Sequence, residues 1–128
     1  MKLLLDTHTF VWFIAKSPKI SLEARNQIIN NPDQLYLSVA SLWEVAIKVS
    51  LGKLTLHEPY EKLFPHQLNS NGINQLDIAV SHTTLVSKLP YHHNDPFDRM
   101  LIAQAITENM AIISADKAFD AYGITRLW

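Results

Sequence analysis

Four acidic residues occupy positions from which their side chains could meet in the folded chain. Asp6 and Asp116 each follow a short apolar run of the kind that forms a buried strand. Glu44 and Asp98 each fall where the sequence predicts the first turn of a helix, whose electropositive end favours a negative side chain. We therefore expect the four carboxylates to form one acidic cluster.

Such a cluster would offer only oxygen ligands, and the chain contains no cysteine to supply thiolates. Oxygen ligands select a hard cation, Mg²⁺ or Mn²⁺. A bound ion of this type activates water and neutralises charge on a phosphodiester. The residues therefore predict phosphodiester hydrolysis with the carboxylates as metal scaffold, and they are compatible with either one or two ions.

The same acids also have purely structural interpretations. Ser41 and Glu44 have the spacing of a capping box, and Asp95, which precedes a proline, resembles a helix N-cap. Asp98 could serve the helix dipole, and Asp116 could cap the last helix. Asp6 is harder to explain structurally, because a carboxylate at the end of a buried strand is costly unless it is paired or bound to a metal.

Six histidines raise the question of zinc, but no pair has the helical spacing of a zinc-hydrolase motif. His92, His93 and Arg99 lie close to Asp98 in sequence. They could approach a phosphate or remain solvated residues of a loop, and the sequence leaves both possibilities open.

Strands and helices alternate along the chain. Strands are predicted at Met1–Leu5, Leu35–Val39, Ile73–Ile78, Met110–Ser114 and, as a short edge strand, Ile124–Leu127. Helices are predicted at His8–Lys16, Ser21–Asn30, Ser41–Leu51, Glu58–Asn69, Ser81–Leu89, Asp95–Glu108 and Asp116–Ala121. This alternation predicts an α/β fold with a mainly parallel sheet covered on both faces. In such sheets the functional site lies at the carboxyl ends of the strands.

The composition fits one globular domain over residues 1–128. The chain is 48% hydrophobic and 18% charged, with a formal net charge of −1, which excludes a disordered chain and a strongly basic nucleic-acid binder. No apolar run approaches the length of a membrane span, and no signal peptide is recognisable, so we expect a cytoplasmic protein.

Apolar side chains near Trp12, Trp43 and Leu51 could pack in the core or receive a partner helix.

Four sequence blocks resemble the PIN-domain family and, more narrowly, the VapC-type toxins of bacterial toxin-antitoxin pairs. The blocks cover nearly the whole chain in order, and they are Asp6-Thr7, Ser41–Lys48, Asp95–Ala105 and Ser114–Phe119. The resemblance implies a three-layer α/β/α sandwich and an endoribonuclease that depends on Mg²⁺ or Mn²⁺. It also implies frequent homodimers and neutralisation by a cognate antitoxin.

Carried over residue by residue, the family's four acids correspond to Asp6, Glu44, Asp98 and Asp116. The resemblance makes Asp6 and Asp98 direct metal ligands, while the other two acids complete the cluster or hold metal-bound water. Asp95 is the capping acid of its block, and Thr7 and Ser114 are placed to tune the cluster by hydrogen bonds.

Three other functions compete with this hypothesis. An aspartyl-phosphate phosphatase needs a second Asp two residues after the first, where this chain has His8. A receiver-like regulatory module needs an Asp ending a strand near mid-chain, where this chain has Ser38 and Ala40. A PIN-like protein that mainly binds RNA or its partner, with little cleavage, is not excluded by any residue.

Overall fold

The computed structural model describes residues 1–128. The strands are β1 (Leu3–Leu5), β2 (Leu35–Ser38), β3 (Asn74–Leu76), β4 (Ala111–Ile113) and β5 (Arg126–Leu127). The α-helices are α1 (Thr7–Ile14), α2 (Leu22–Asn30), α3 (Val39–Ser50), α4 (Tyr60–Leu63), α5 (His66–Ser70), α6 (Val80–Val86) and α7 (Pro96–Thr107), and Lys117–Tyr122 is a 3₁₀ helix. None of the helices has the length and hydropathy that a bilayer span requires.

The five strands form one sheet in the order β3-β2-β1-β4-β5, and every neighbouring pair is parallel. The first strand of the chain is therefore the central strand. Because all strands run the same way, their carboxyl ends share one edge of the sheet, and the segments that follow β1, β2 and β4 meet there.

Side chains that alternate along β1 enter two different cores. Leu3 and Leu5 pack in a cluster with α1, α2 and α3 residues such as Phe10. Leu4 faces the opposite side, in a cluster with Leu101 and other residues of α7. Both faces of the sheet are thus covered by helices, and the predicted three-layer α/β/α sandwich with a parallel sheet is confirmed.

Helix α3 begins earlier than the sequence predicts. Its N-cap is Ser38, whose Oγ accepts a hydrogen bond from the Ala40 N–H at 3.0 Å. Ser41 lies inside the helix, and its Oγ accepts a 2.8 Å hydrogen bond from Thr7 Oγ1. The predicted capping box of Ser41 and Glu44 is therefore wrong: Ser41 bonds across to α1, and Glu44 lies in the second turn of the helix.

The predicted helix over residues 58–69 is divided into α4 and α5, with Pro65 between them. A proline cannot donate a backbone hydrogen bond, so it interrupts a continuous helix at this point.

The predicted cap at Asp95 is confirmed, since its Oδ1 accepts a hydrogen bond from the Asp98 N–H at 2.9 Å. Trp43 is 60% exposed, so it does not belong to the core.

Candidate active site

Asp6 lies at the carboxyl end of the central strand and is buried. Its backbone N–H donates to the Ile113 carbonyl at 3.1 Å, which fixes it against the end of β4. Its Oδ2 accepts a 2.7 Å hydrogen bond from Ser114 Oγ. Burial raises the pKa of Asp6 above its ordinary value, although the hydrogen bond from Ser114 opposes the shift.

Ser114 connects two of the acidic residues. Its Oγ donates to Asp6 and also accepts a hydrogen bond from the Asp116 N–H at 3.0 Å. The Thr7 hydroxyl, in contrast, donates to Ser41. Of the two residues expected to tune the cluster, the structure places Ser114 in direct contact with it.

Asp98 lies in the first turn of α7, as the sequence predicts. Burial, the negative charge of Asp6 and that of Asp95 raise the pKa of Asp98 to about 7, and Glu44 adds a smaller contribution in the same direction. The negative charges of Asp6, Asp95 and Glu44 therefore disfavour ionisation of Asp98, and His93 acts in the opposite direction.

Asp116 combines its structural and functional interpretations. Its Oδ1 accepts a hydrogen bond from the Ala118 N–H at 2.9 Å and thereby caps the 3₁₀ helix. Its Oδ2 lies 3.2 Å from His93 Nε2, on the side of the acidic cluster. One oxygen atom is used for capping, and the other stays available to the cluster.

Glu44 reaches the cluster from the second turn of α3. Its Oε2 forms an ion pair with Lys48 at 3.2 Å, one helical turn further on. Its Oε1 is buried and has no hydrogen-bond partner. A buried carboxylate oxygen without a partner is costly, and a coordinated cation would remove that cost.

His93 is the functional-site residue that the sequence leaves undecided. Its Nε2 lies 3.0 Å from Asp98 Oδ2 and 3.2 Å from Asp116 Oδ2. The three side chains offer ligand atoms that all lie within 4.8 Å of one another. The only sequence signal was the position of His93 two residues before Asp95, which does not determine where the imidazole points.

His92 and Arg99 are not part of this cluster. His92 is exposed and packs edge-on against the Tyr122 ring at 5.2 Å. Arg99 is only 5% exposed, and its guanidinium donates hydrogen bonds to four backbone carbonyls. Arg99 therefore stabilises the loop before α7, and its donors are not directed at a phosphate.

The donor set fits a divalent cation. Asp98 and Asp116 offer carboxylate oxygens that lie within 4.8 Å of each other, Ser114 links Asp6 to Asp116 by hydrogen bonds, and Glu44 Oε1 is a buried atom that lacks a partner. A cavity of about 350 Å³ opens beside the cluster and is lined by Asp6, Asp116, Ala115, His8 and Trp12. Two of the four acids therefore line a cavity.

Comparison with known proteins identifies the family. A family model for the PIN domain matches residues 3–124. Ribonuclease VapC22 of Mycobacterium tuberculosis (strain ATCC 25618 / H37Rv) is 28% identical over 118 residues, which cover 89% of this chain and 86% of that protein. Ribonuclease VapC16 of the same organism is 31% identical over 72 residues, which cover 53% of this chain and 51% of that protein.

Solved structures agree on the fold. The DNA-bound VapBC complex from Salmonella typhimurium contains a chain that matches with a TM-score of 0.74 at 17% identity, covering 98% of this chain and 96% of that chain. FitAcB from Neisseria gonorrhoeae matches with a TM-score of 0.66 at 15% identity, covering 97% of this chain and 95% of that chain. The resemblance to PIN domains and VapC-type proteins that the sequence motifs indicate is confirmed, and the chain belongs to the PIN domain family.

Proposed function

We propose that this protein is a metal-dependent endoribonuclease that acts as the toxin of a toxin-antitoxin pair. The observation that carries the proposal is the crowding of carboxylates at the end of the central strand. Burial together with the charges of Asp6 and Asp95 raises the pKa of Asp98 to about 7. A fold retains such an unfavourable arrangement when a bound cation offsets it.

Asp6, Glu44, Asp98 and Asp116 would hold Mg²⁺, or Mn²⁺ in its place. When bound, the ion would supply a Lewis acid that activates water and neutralises charge on the phosphodiester. The protein's own contribution is to fix the ligands: Ser114 orients Asp6, the N-cap Asp95 orients the turn that carries Asp98, and Lys48 holds one oxygen of Glu44. The carboxylates act as a scaffold and form no covalent bond to the substrate.

Cationic side chains next to the acids support an RNA substrate. A cavity of about 190 Å³ adjoins the first one, and Lys48, Lys53 and His8 are among the residues that line it. Phosphate groups on either side of the scissile bond would find positive charge there, while the acids themselves repel RNA in the absence of the ion. The two relatives named above are ribonucleases, which supports the same substrate class.

The proposed partners are a cognate antitoxin and a second copy of this chain. The antitoxin is supported by the structural neighbours, which are VapBC complexes and the FitAB complex. We propose that the protein acts as one domain over residues 1–128, as a homodimer, in the cytoplasm, where an RNA substrate and an antitoxin would both be available.

The test is cleavage of total cellular RNA by the purified, antitoxin-free protein with Mg²⁺, with Mn²⁺ and with EDTA. We expect discrete fragments in the presence of either metal and none with EDTA. Asp98→Asn, purified in parallel, should remain folded and lose the activity. Asp33→Asn is the matched control, because Asp33 is exposed and has a backbone φ of 67°, which asparagine tolerates.

Two results would count against the proposal. Equal cleavage by the wild type and a folded Asp98→Asn variant would show that the cleavage does not depend on Asp98, as expected of a contaminating nuclease. A folded wild type that cleaves no RNA with any metal would favour a PIN-like binding protein instead.

A further inference from the structure

The imidazole of His93 joins two carboxylates that belong to different elements. Asp98 lies in the first turn of α7, and Asp116 caps the 3₁₀ helix that follows β4. His93 Nε2 is within hydrogen-bond distance of both, at 3.0 Å and 3.2 Å. It therefore spans the gap between the two segments at the edge of the acidic cluster.

The other ring nitrogen shows which atom carries the proton. The backbone N–H of Asp95 donates to His93 Nδ1 at 3.2 Å. A nitrogen that accepts a hydrogen bond presents a lone pair, so in the neutral ring the proton resides on Nε2. That N–H is directed at Asp116 Oδ2, Asp98 Oδ2 lies 3.0 Å from the same nitrogen, and in this tautomer Nε2 has no lone pair for a metal ion.

We propose that His93 is a positioning residue of the site: its Nε2–H is shared between Asp98 and Asp116 and holds them together, and the imidazole is not a metal ligand. The inference rests on the proposed metal-dependent function, and it extends that function beyond the four acids. His93 would be a hydrogen-bond partner of the metal ligands. Loss of such a partner weakens metal binding, although the partner itself does not contact the metal.

The loop that carries His93 is fixed independently of the carboxylates. The His93 N–H donates to the Tyr122 hydroxyl at 2.9 Å, and this hydroxyl donates to the Pro90 carbonyl at 2.8 Å. Arg99 donates to the carbonyls of Pro90 and Leu89 and more weakly to that of His93, at 3.0, 3.1 and 3.4 Å. The imidazole is thus presented by a braced loop, which is what a positioning role requires.

Two substitutions separate the two ring nitrogens. In His93→Asn the side-chain oxygen can replace Nδ1 as acceptor for the Asp95 N–H, but no donor reaches the carboxylates. In His93→Gln the longer amide can place an N–H near the position of Nε2. The loop keeps a hydrogen-bonding side chain in both variants, so a difference between them reports on the donor rather than on folding.

The first measurement is the protonation of the His93 ring in the metal-free protein, by long-range ¹H–¹⁵N NMR at pH 8. We expect Nε2 to be protonated and Nδ1 to be unprotonated. A proton on Nδ1 would overturn the proposal, because Nε2 would then be free to bind a metal.

The second measurement is Mn²⁺ binding, followed by electron paramagnetic resonance. We expect His93→Asn to weaken Mn²⁺ affinity by about tenfold or more and His93→Gln by less than about threefold, within the usual range for hydrogen-bond partners of metal ligands. Spin-echo spectra of the wild type should show no coupling between Mn²⁺ and an imidazole nitrogen. Such coupling, or equal affinities of the wild type and both variants, would overturn the proposal.

Failure of the proposed function gives a different result. A wild type that binds no Mn²⁺ and cleaves no RNA would contradict the metal-dependent nuclease itself, and the positioning role would fall with it. A wild type that binds Mn²⁺ and cleaves RNA, with His93→Asn unchanged in both, would contradict only the role of His93.

Discussion

The Ser114 hydroxyl donates a 2.7 Å hydrogen bond to Asp6 Oδ2 and joins two residues that are 108 positions apart in the chain. Asp6 ends the central strand and Ser114 directly follows the neighbouring one. The contact exists only because β1 and β4 pair in parallel register, with Leu5 opposite Ile113. The geometry of the acidic cluster is therefore set by the sheet.

Ser114→Ala should destabilise the metal-free protein by about 1–3 kcal/mol at pH 8, because Asp6 loses its buried donor and the Asp116 N–H loses its acceptor. The free energy of unfolding in urea with EDTA present measures this. Ser87→Ala is the control, because Ser87 is exposed and bonds only to the Thr84 carbonyl. Equal stability of the two variants would show that the bond to Asp6 is unimportant.

Asp98→Asn should change how the stability of the metal-free protein depends on pH. The folded-state pKa of Asp98, about 7, lies above its ordinary value of 3.8, so the folded protein binds the proton more tightly. The stabilisation from this group is fully present below pH 3.8 and is lost as the pH rises through 7. The variant should therefore be more stable than the wild type at pH 8, and the difference should shrink at pH 5.

Thermal unfolding in EDTA at both pH values tests this expectation. Asp33→Asn should follow the wild type at each pH. A constant difference between Asp98→Asn and the wild type from pH 5 to pH 8 would mean that Asp98 titrates normally in the folded chain.

Mg²⁺ should stabilise the wild type and have little effect on Asp98→Asn. At a concentration about 100 times its Kd, a ligand that binds only the folded state adds about 2.7 kcal/mol to the free energy of unfolding. The comparison of urea titrations with Mg²⁺ and with EDTA gives this quantity. NaCl at equal ionic strength controls for general screening, and an identical gain for both proteins would argue against a site that includes Asp98.

Arg99→Lys should cost at least about 2 kcal/mol of stability, since an ammonium group cannot reach four carbonyls that the guanidinium contacts together. Tyr91, whose ring lies 3.9 Å from the guanidinium carbon, would also lose a stacking partner. We expect RNA cleavage to fall as well, because the loop carries His93. Arg25→Lys on α2 is the control, and unchanged cleavage by Arg99→Lys would contradict the bracing role.

Local patterns predict the parts of the fold that local forces determine. Asp6 after a buried run and the Asp95 cap before a proline were placed correctly, because strand burial and N-capping each depend on a few neighbouring residues. The parallel sheet followed in the same way from the alternation of strands and helices. The direction of the strands brings the segments that follow β1, β2 and β4 to one edge of the sheet, where the candidate site lies.

Contacts between distant segments explain what the sequence did not predict. Ser41 has the spacing of a capping residue, but Thr7 of another helix binds it, and Ser38 caps α3 instead. The direction of the His93 imidazole depends on Tyr122 and Arg99, which hold its loop from two other elements. No pattern within the loop itself contains that information.

The strand order has a consequence for synthesis of the protein. Asp6 follows β1, whereas its neighbour β4 and the residues Ser114 and Asp116 are synthesised more than 100 residues later. A nascent chain that has emerged from the ribosome only as far as α6 contains Asp6 and Glu44 but neither Asp98 nor Asp116. The four acids can therefore assemble only after Asp116 has left the ribosome, which delays any activity of the site until then.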